Sequence, residues 1–389
     1  MLANRRVTLS SSPKKNCPMR YPLRLATVSL LGLACACSQS IKPTLPPPAP
    51  VATAPVLVSP APAAAVAVST DATPPVGPTP DKITAFVADA AKLSGRDPVE
   101  VRAWLAQARY QQSIINAITR PAESKPWRDY RPIFLTSARI DQGRAFYREH
   151  RDALLKVQGE TGVPAEIIVA IIGVETSYGR VTGNYRVLDA LYTLGFYYPR
   201  REEFFRTELA QLFALSSDEK FDLGSLKGSY AGAMGWGQFM PSSYRSYAKD
   251  GDGDGRRDLF NSLPDVFASV ANYFVGYGWK AGQPIFVEAR AVAGAAAFVP
   301  DDYLAKYSLT DLAARGYRPL DATAPDLPAT LLTLDGANGS EFWIGYQNFY
   351  VLTRYNRSPL YAMAVFQLAH EIAAVAPLPL DPEAAPVAQ

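Results

Sequence analysis

The sequence contains little cysteine and little histidine. Its three cysteines, Cys17, Cys35 and Cys37, all lie near the N-terminus of the 389 residues, and its two histidines are His150 and His370. The body of the chain therefore has no cysteine for a disulfide and too few histidines for a His-rich zinc site. A Ser-His-Asp triad or a Cys-His pair would also need more of these residues.

Nucleotide-binding motifs and strong charge are missing as well. No Walker A loop, dinucleotide fingerprint or Gly-x-Ser-x-Gly elbow follows a predicted strand. The formal net charge is only +3, and no lysine or arginine cluster interleaves with aromatic residues in the body of the chain. We therefore expect no nucleic-acid partner and no organic cofactor.

The N-terminus has the pattern of a secretory leader. Arg20 and Arg24 precede an apolar run over 25–37 that is too short to span a membrane and ends in small residues. Cys37 is similar to the lipid-acceptor cysteine of bacterial lipoproteins, although Ala34 stands where leucine is usual. We expect a lipid-anchored protein, with ordinary signal cleavage and release as the alternative. Translation from Met19 is a further hypothesis.

A segment rich in proline and alanine follows the leader. Residues 41–80 contain twelve prolines and two charged residues, Lys42 and Asp71. Such a segment buries too little apolar surface to fold and prefers extended conformations, which at about 3.1 Å per residue reach on the order of 100 Å. We expect a tether that lets an anchored body work at a distance from its membrane.

Hydrophobic periodicity predicts a mainly α protein of the α+β class. Pro121, Pro126 and Pro132 are expected to interrupt the chain between two of its helices. Strands are expected at 283–293, 329–335 and 340–353. Helices are expected at 81–95, 98–118, 137–160, 164–178, 185–195, 200–215, 241–248, 263–277 and 358–375.

The segment 164–178 is apolar on every side and carries one carboxylate near its end, Glu175. A helix that stops at Gly179 and is apolar all round is expected to be buried. Burial would raise the pKa of Glu175 and keep its proton near neutral pH, as a general acid requires. The alternative is a structural glutamate paired with Arg180 or Arg186.

The glycine-rich segment 228–237 joins two predicted helices. It lacks the lysine of a phosphate-binding loop, and its neighbours are aromatic and apolar. Such a wall suits a sugar, whose apolar ring faces stack on aromatic side chains while backbone amides bind its hydroxyls. The alternative is a tight connection between helices.

The aspartates of the segment 250–265 have the spacing of a calcium loop. Glycine stands at the sixth position, but Asn261 replaces the usual glutamate at the twelfth, which leaves Asp265 as the nearest carboxylate to complete the shell. We expect a structural clamp, and the alternative is a solvated acidic turn. The predicted calcium ligands are Asp250, Asp252, Asp254, Asp258, Asp265 and the carbonyl of Arg256.

Several of these segments resemble, in the same order, the membrane-bound lytic murein transglycosylase B family. The resemblance covers nearly all of 81–375. It is carried by the segments 127–131, 171–176, 198–201, 228–244, 269–274, 348–350 and 353–357.

The resemblance implies a lysozyme-like helical core of the goose type with a flanking helical domain and a small antiparallel β domain. The implied parts are the leader at 1–37, the linker at 38–80, the helical domain at 81–160 completed by 358–375, the catalytic core at 161–280, the β domain and cleft-lining segment at 281–357 and the tail at 376–389.

The resemblance also implies non-hydrolytic cleavage of peptidoglycan. Glu175 would be the single acid and base that cuts between N-acetylmuramic acid and N-acetylglucosamine and leaves a 1,6-anhydromuramyl end. Asp189 is a candidate for a second carboxylate, but the family pattern gives it no role. Positions that match substrate-binding sites of the family are Tyr130, Arg200, Arg201, Ser229, Gln238, Tyr273, Asn348 and Tyr350.

The expected partner is the peptidoglycan glycan strand, and the expected location is the periplasm of a Gram-negative bacterium, on an outer-membrane anchor at Cys37. We expect a monomer. Alternatives are a muramidase that admits water, a non-catalytic peptidoglycan-binding module and a calcium-regulated adhesion protein. Arg200 and Arg201 also have an alternative interpretation as surface charge on a helix.

Overall fold

The computed structural model describes residues 77–119 and 125–374. The predicted leader with Cys37, the predicted linker as far as residue 76 and the tail at 376–389 lie outside these residues. The described part is mostly helical, with small antiparallel sheets, which confirms the predicted fold class.

The helices are short, and several begin or end at residues suited to those positions. For example, the first helix begins at Pro80, after the Thr79 side chain has capped it, and ends before Gly95 in a left-handed conformation. The helices are α1 (Pro80–Ser94), α2 (Pro98–Ala106), α3 (Gln112–Ile118), α4 (Trp127–Phe134), α5 (Ser137–Glu149), α6 (Arg151–Thr161), α7 (Ala165–Thr176), α8 (Val187–Tyr197), α9 (Glu202–Glu219), α10 (Pro241–Tyr247), α11 (Leu263–Gly276), α12 (Leu309–Ala314), α13 (Gln347–Tyr355) and α14 (Pro359–Ala373).

The strands form two antiparallel sheets. A two-residue pair joins β1 to β2, and a four-stranded sheet has the order β4-β3-β6-β5. One face of the larger sheet packs on its own small apolar cluster, which includes Tyr317, Leu331 and Ile344. The strands are β1 (Tyr185–Arg186), β2 (Lys227–Gly228), β3 (Phe286–Ala291), β4 (Tyr317–Pro319), β5 (Thr330–Gly336) and β6 (Gly339–Gly345).

Helix α7 lies at the centre of the main hydrophobic core. All of its residues except Glu166 are buried, as its apolar sequence predicts. Helices α5, α6, α11 and α14 pack against it. α14 is far from α7 in the sequence, so the packing of these two helices brings the C-terminal part of the chain to Glu175.

Four predictions of secondary structure are wrong in detail. The predicted helix 98–118 is split after Ala106, because the backbone at 109–111 bonds the side chains of Asp189 and Thr193 instead. The predicted helix 137–160 is interrupted at His150, whose φ of −110° and ψ of 19° are not helical. Pro132 lies inside the short helix α4 rather than between helices.

The fourth correction concerns 340–353, which was predicted as one strand. The chain leaves the sheet after Gly345 and forms α13 from Gln347. The aromatic residues of this segment favour a strand by composition, but α13 buries Phe349, Val351 and Leu352 against the helical core. Tertiary packing therefore overrides the local preference.

Among the described residues, no single helix has the length and apolar composition of a membrane span. Helices α6 and α7 reach that composition together, but they are bent by 114° where they meet.

Candidate active site

Glu175 lies in the last turn of α7 and is 5% exposed. Its Oε1 accepts a hydrogen bond of 2.6 Å from the Tyr361 hydroxyl on α14. Loss of hydration is the main cause that raises the pKa of Glu175 to about 8, and the Tyr361 hydrogen bond opposes this rise. Glu175 therefore holds a proton at neutral pH. Because its pKa is only about one unit above neutral pH, it can also give the proton up during a reaction.

Buried tyrosines surround the pair formed by Glu175 and Tyr361. Burial, and in second place the charge of Glu175, raise the pKa of Tyr355 and of Tyr361 well above 10. Tyr355 donates a hydrogen bond to the Gly237 carbonyl, and its ring centroid lies 4.8 Å from that of Tyr273. These phenols therefore remain hydrogen-bond donors at neutral pH.

The turn that follows Glu175 has an unusual backbone. Ser177, Tyr178 and Gly179 have φ values of 51°, 60° and 78°, in the left-handed region that side chains other than glycine rarely adopt. The helix thus ends at Thr176, before the predicted stop at Gly179. Tyr178 is fixed by its hydroxyl, which donates to the Arg139 carbonyl on α5.

The glycine-rich segment 228–237 folds as a compact turn against α7. The Ser229 hydroxyl accepts hydrogen bonds from the backbone N–H groups of Ala231 and Ala233. Gly228 approaches the chain so closely that a Cβ there would lie 2.2 Å from the Ala233 carbonyl oxygen. Glycine at this position is therefore required by the close approach of two backbone segments.

The structure brings three of the predicted calcium ligands together. Carboxylate oxygens of Asp250, Asp252 and Asp254 all lie within 4.8 Å of one another. Asp265 is buried behind them, and its two oxygens accept hydrogen bonds of 2.7 Å from the backbone N–H groups of Gly251 and Asp258. Asp265 therefore ties the start of the acidic loop to its end.

The other two predicted ligands have different surroundings. The Asp258 carboxylate accepts hydrogen bonds from the backbone of Phe260 and Asn261. The Arg256 backbone N–H donates to Asp254. These contacts leave the assignment of Asp258 and of the Arg256 carbonyl as ligands a prediction.

Tyr130 and Tyr273, two of the predicted substrate-binding residues, lie with the tyrosines near Glu175. Tyr130 is fully buried in α4 and lies close enough to Tyr361 to contribute to the rise of the Tyr361 pKa. Tyr273 on α11 donates to the Arg354 carbonyl at 2.7 Å. The structure therefore gathers residues from α4, α7, α11, α13 and α14 around one carboxyl group.

Other predicted substrate-binding residues make contacts within the protein. Gln238, with φ of 50°, donates through its side chain to the carbonyls of Thr182 and Gly235. Asn348 is fully buried, and its amide bonds the backbone of Lys280 and Gln283. Asn348 thus holds in place the segment that connects α11 to β3.

Tyr350 and the two predicted arginines lie at or near the surface. The half-buried Tyr350 ring lies 5.5 Å from the Arg354 guanidinium carbon. Arg200 is exposed, and Arg201 packs its guanidinium on the Phe204 ring at 4.1 Å. Both arginines belong to the 3₁₀ turn Pro199–Arg201 that precedes α9.

The alternative arginine partners of Glu175 are bound elsewhere. Arg180 bonds Gln142 and the Ser177 carbonyl. Arg186 bonds Asp189 and the Gln107 carbonyl. Glu175 instead accepts a hydrogen bond from the neutral hydroxyl of Tyr361, which favours the ionised form of the glutamate less than the charge of an arginine would.

Sequence reasoning missed Tyr355 and Tyr361. Tyr361 follows Glu175 by 186 positions, so no local spacing connects them. Tyr355 falls within the segment 353–357 that carries the family resemblance, which was the available signal for it. Trp236 and Thr176, which link the turn after Glu175 to the end of the acidic loop, were also not predicted.

The chain is similar to known proteins over most of its described residues. The transglycosylase SLT domain family matches residues 79–370. A relative, membrane-bound lytic murein transglycosylase B of Escherichia coli strain K12, is 43% identical over 298 residues, which cover 74% of this chain and 81% of the relative.

Solved structures show the same fold. Lytic transglycosylase SltB1 from Pseudomonas aeruginosa is 47% identical with a TM-score of 0.71, over 76% of this chain and 98% of that one. Escherichia coli Slt35 in complex with calcium is 42% identical with a TM-score of 0.69, over 75% and 92%. SltB3 from Pseudomonas aeruginosa in complex with NAG-NAM-pentapeptide is 33% identical with a TM-score of 0.65, over 75% and 79%.

The matched residues span both the helical core that holds Glu175 and the small β part. The sequence identity to these relatives is high enough to show a common family as well as a common fold. It confirms the resemblance found in the sequence. The chain belongs to the lytic transglycosylases of the transglycosylase SLT domain family.

Proposed function

We propose that this protein cleaves the β-1,4 bond between N-acetylmuramic acid and N-acetylglucosamine in peptidoglycan without water. The product would carry a 1,6-anhydromuramyl end. The observation that carries the proposal is the buried Glu175, whose pKa is raised to about 8 and which Tyr361 bonds, in a fold shared with lytic transglycosylases. The catalytic group would be Glu175.

The surroundings of the other buried acids support a single catalytic carboxyl group. Within the described ranges, the buried acidic residues besides Glu175 are Asp189, Glu208 and Asp265. Each accepts at least one hydrogen bond from a backbone N–H and so serves the fold. Asp189, the candidate for a second carboxylate, also bonds Arg186. A two-carboxylate glycosidase needs a partner about 5–10 Å from the acid.

One carboxyl group suffices for the proposed reaction. Glu175 gives its proton to the glycosidic oxygen, and the bond from that oxygen to C1 of the muramyl residue breaks. The muramyl N-acetyl group stabilises the positive charge at C1. Glu175, now ionised, takes the proton from the 6-hydroxyl as O6 bonds to C1 and closes the ring. Glu175 ends protonated again, and no water is consumed.

Tyr361 is suited to both halves of this cycle. Its hydroxyl donates to Oε1 and stabilises the ionised form of Glu175 that exists between the two proton transfers. The same hydrogen bond limits the rise of the Glu175 pKa, so that the proton can leave. Tyr361 would therefore hold the carboxyl group in place and adjust its acidity.

Arg201 supports binding of a carboxylate, such as the lactyl or stem-peptide group of muramic acid. Its Nη1 and Nη2 are buried and have no hydrogen-bond partner among the described residues. Burial is the main cause that lowers its pKa to about 10, so it remains charged at neutral pH. A guanidinium with two unsatisfied nitrogens offers a paired bond to a carboxylate. The neighbour SltB3 was solved with a NAG-NAM-pentapeptide.

The remaining substrate contacts are proposed from the family pattern. In the structure the Ser229 hydroxyl accepts a hydrogen bond from the glycine-rich turn, and the Asn348 amide donates one to the Gln283 carbonyl between α11 and β3. For these two residues a positioning role therefore accompanies the proposed binding role. The proposed substrate-binding residues are Tyr130, Arg200, Arg201, Ser229, Gln238, Tyr273, Asn348 and Tyr350.

Mass spectrometry of soluble products from peptidoglycan sacculi tests the reaction. The anhydro product is lighter than the hydrolytic product by one water molecule. Anhydromuropeptides would support the proposal, whereas reducing muropeptides would indicate a muramidase. A lack of soluble products would leave a peptidoglycan-binding module as the better account.

Replacing Tyr361 with phenylalanine is expected to lower kcat by about 10- to 100-fold, since a hydrogen bond to a charged group contributes about 1.5–3 kcal/mol. In the wild type, activity should fall as pH rises through about 8, where Glu175 loses its proton. In the variant this alkaline limb should move to higher pH, because the bond that lowers the Glu175 pKa is gone. A pH–rate profile of kcat/KM locates the alkaline limb, and turnover at saturating substrate below pH 8 gives the change in kcat.

Tyr346→Phe is a matched control for this variant. Tyr346 is also fully buried, and its hydroxyl donates to the Pro325 carbonyl outside the site. The alkaline limb of the Tyr346→Phe pH–rate profile should match that of the wild type. An unchanged limb in Tyr361→Phe would contradict the proposed role of Tyr361.

We also propose that the acidic loop holds a calcium ion. The converging groups are carboxylates, and calcium prefers oxygen ligands at flexible distances. Asp250, Asp252 and Asp254 would bind the ion, while Asp265 is already engaged in shaping the loop. The neighbour Slt35 was solved in complex with calcium. The ion would neutralise the repulsion among the three carboxylates.

Calcium is therefore expected to raise the melting temperature of the protein. A ligand that binds only the folded state at 100 times its Kd adds about 2.7 kcal/mol to the free energy of unfolding. Asp252→Ala should remove most of this rise. The control Asp326→Ala, an exposed aspartate far along the chain, should keep it. An equal rise in Asp252→Ala, measured by calorimetry with calcium and with chelator, would rule out the site.

For location, we propose a periplasmic enzyme held at the outer membrane through a lipid on Cys37, with peptidoglycan strands as its partner. The leader pattern supports this proposal. The Escherichia coli relative is named membrane-bound, which agrees with it.

A further inference from the structure

The end of the acidic loop is connected to the turn after Glu175 through the backbone and side chain of Trp236. On one side, the Trp236 backbone N–H and indole Nε1 donate hydrogen bonds of 3.0 Å to the carbonyls of Leu259 and Phe260. These two residues follow Asp258 directly. The Asp258 carboxylate in turn accepts the Phe260 N–H at 2.9 Å. The end of the loop therefore fixes where Trp236 lies.

On its other side, Trp236 contacts the turn that ends α7. Its carbonyl oxygen lies 3.1 Å from the Thr176 hydroxyl, which also lies 3.1 Å from the Ile172 carbonyl and accepts the Gly179 N–H. A Cβ at Gly179 would lie 2.4 Å from the indole ring. The ring and carbonyl of Trp236 thus hold both ends of the turn that begins one residue after Glu175.

We propose that Trp236 is a positioning residue that couples the acidic loop to Glu175, so that calcium in the loop fixes the catalytic carboxyl group. The contacts from Leu259 and Phe260 through Trp236 to Thr176 form what we call the Trp236 bridge. The proposal rests on the proposed calcium site and on Glu175 as the acid. It adds an effect of calcium on turnover to its effect on stability.

The physical reason is the charge of the loop. Without a cation, three exposed carboxylates that converge within 4.8 Å repel one another. Asp265 joins Gly251 to Asp258, so a displacement of the loop reaches Asp258 and the Phe260 carbonyl. The turn after Glu175 has three consecutive residues at positive φ, a conformation that persists only where the surroundings hold it. We therefore expect loss of one support to displace this turn.

The expected effect is on kcat rather than on KM. A displacement of about 1 Å at a reacting group can lower a rate by about 100-fold. A partial loosening should therefore change kcat several-fold. Gln238 lies two residues from Trp236, whereas Arg201 lies in the turn before α9, so we expect KM to change less than kcat.

Trp236→Phe, in the full-length protein, tests the coupling. Phenylalanine keeps an aromatic ring near Gly179 but cannot donate to the Phe260 carbonyl. Calcium should raise kcat of the wild type several-fold at a temperature well below melting. Trp236→Phe keeps the backbone contacts with Leu259 and Thr176 but loses the indole bond, so calcium should raise its kcat less than that of the wild type. Calcium should still raise its melting temperature.

Trp279→Phe is the matched control. Trp279 is nearly buried, and its indole donates a hydrogen bond of 2.9 Å to the Gly162 carbonyl. This variant loses the same kind of bond outside the Trp236 bridge. It should retain the response of kcat to calcium even if its melting temperature falls.

A second pair of variants covers the case in which Trp236→Phe does not fold. Thr176→Val keeps the shape of the side chain but removes the hydroxyl, and Thr176→Ser keeps the hydroxyl. Thr176→Val should lose the response of kcat to calcium, and Thr176→Ser should restore it.

The outcomes separate this inference from the proposals beneath it. If calcium raises the melting temperature of the wild type but leaves kcat unchanged, the coupling is overturned and the calcium site stands. If calcium changes neither quantity, the calcium site and the coupling both fall. If Trp236→Phe responds to calcium as the wild type does, Trp236 is not the connection.

Discussion

Glu175→Gln is expected to lower kcat by about 10³- to 10⁴-fold, the upper part of the range for a positioned general acid. Glutamine has nearly the same shape, and its carbonyl oxygen can still accept the Tyr361 hydrogen bond. It has no proton to give to the glycosidic oxygen and cannot take one from the 6-hydroxyl. Binding of the glycan should remain, because no proposed substrate-binding residue changes.

The measurement is turnover of peptidoglycan sacculi with product identification, together with a pull-down on the same sacculi. Glu166→Gln is the matched control, because Glu166 is a half-buried carboxylate in the first turn of the same helix. It should keep nearly full activity. Turnover by Glu175→Gln within tenfold of the wild type would refute the mechanism with a single acid.

The same substitution is expected to stabilise the fold at neutral and alkaline pH. In the unfolded chain Glu175 loses its proton near 4.5, whereas in the folded protein burial holds the pKa near 8. Folding therefore takes up a proton between these values, and the wild type loses stability as pH rises from about 4.5 to about 8. Glutamine cannot ionise, so the variant avoids a penalty on the order of 3–5 kcal/mol above pH 8.

Melting temperatures of the two proteins across this pH range measure the difference. The curves should run together below about pH 4.5, where the glutamate is protonated in both states, and separate as pH rises above it. A constant difference at all pH values would mean that ionisation of Glu175 is not its cause. Stabilisation together with loss of activity is typical of a group that function keeps in an unfavourable environment.

Predictions from the sequence were best where the signal was local. The helix that carries Glu175 is apolar on every side, and such a helix is stable only in the interior of the protein. Its burial could therefore be predicted from its composition. The spacing of Asp250, Asp252 and Asp254 predicted convergence, because glycines between them let the backbone curl. The structure agrees on both points.

Predictions failed where distant segments decide. The residues at 340–353 have the composition of a strand, but α13 buries Phe349 in the main core, where its ring packs on Phe286 of β3 with ring centroids 4.5 Å apart. The predicted helix 98–118 is interrupted because Asp189 and Thr193 offer its backbone better partners. Neither effect is visible in a window of local sequence.

The sequence by itself determined the helical class, the buried acid and the acidic loop, because each depends on residues within a few turns of one another. Only the tertiary structure decided which groups adjust the acid. Packing of α14 on α7 brings the Tyr361 hydroxyl to Glu175, and the fold places Trp236 between Thr176 and Phe260. The pKa of a carboxyl group depends on its hydration and on donors within a few ångströms, and these neighbours exist only once the chain has folded.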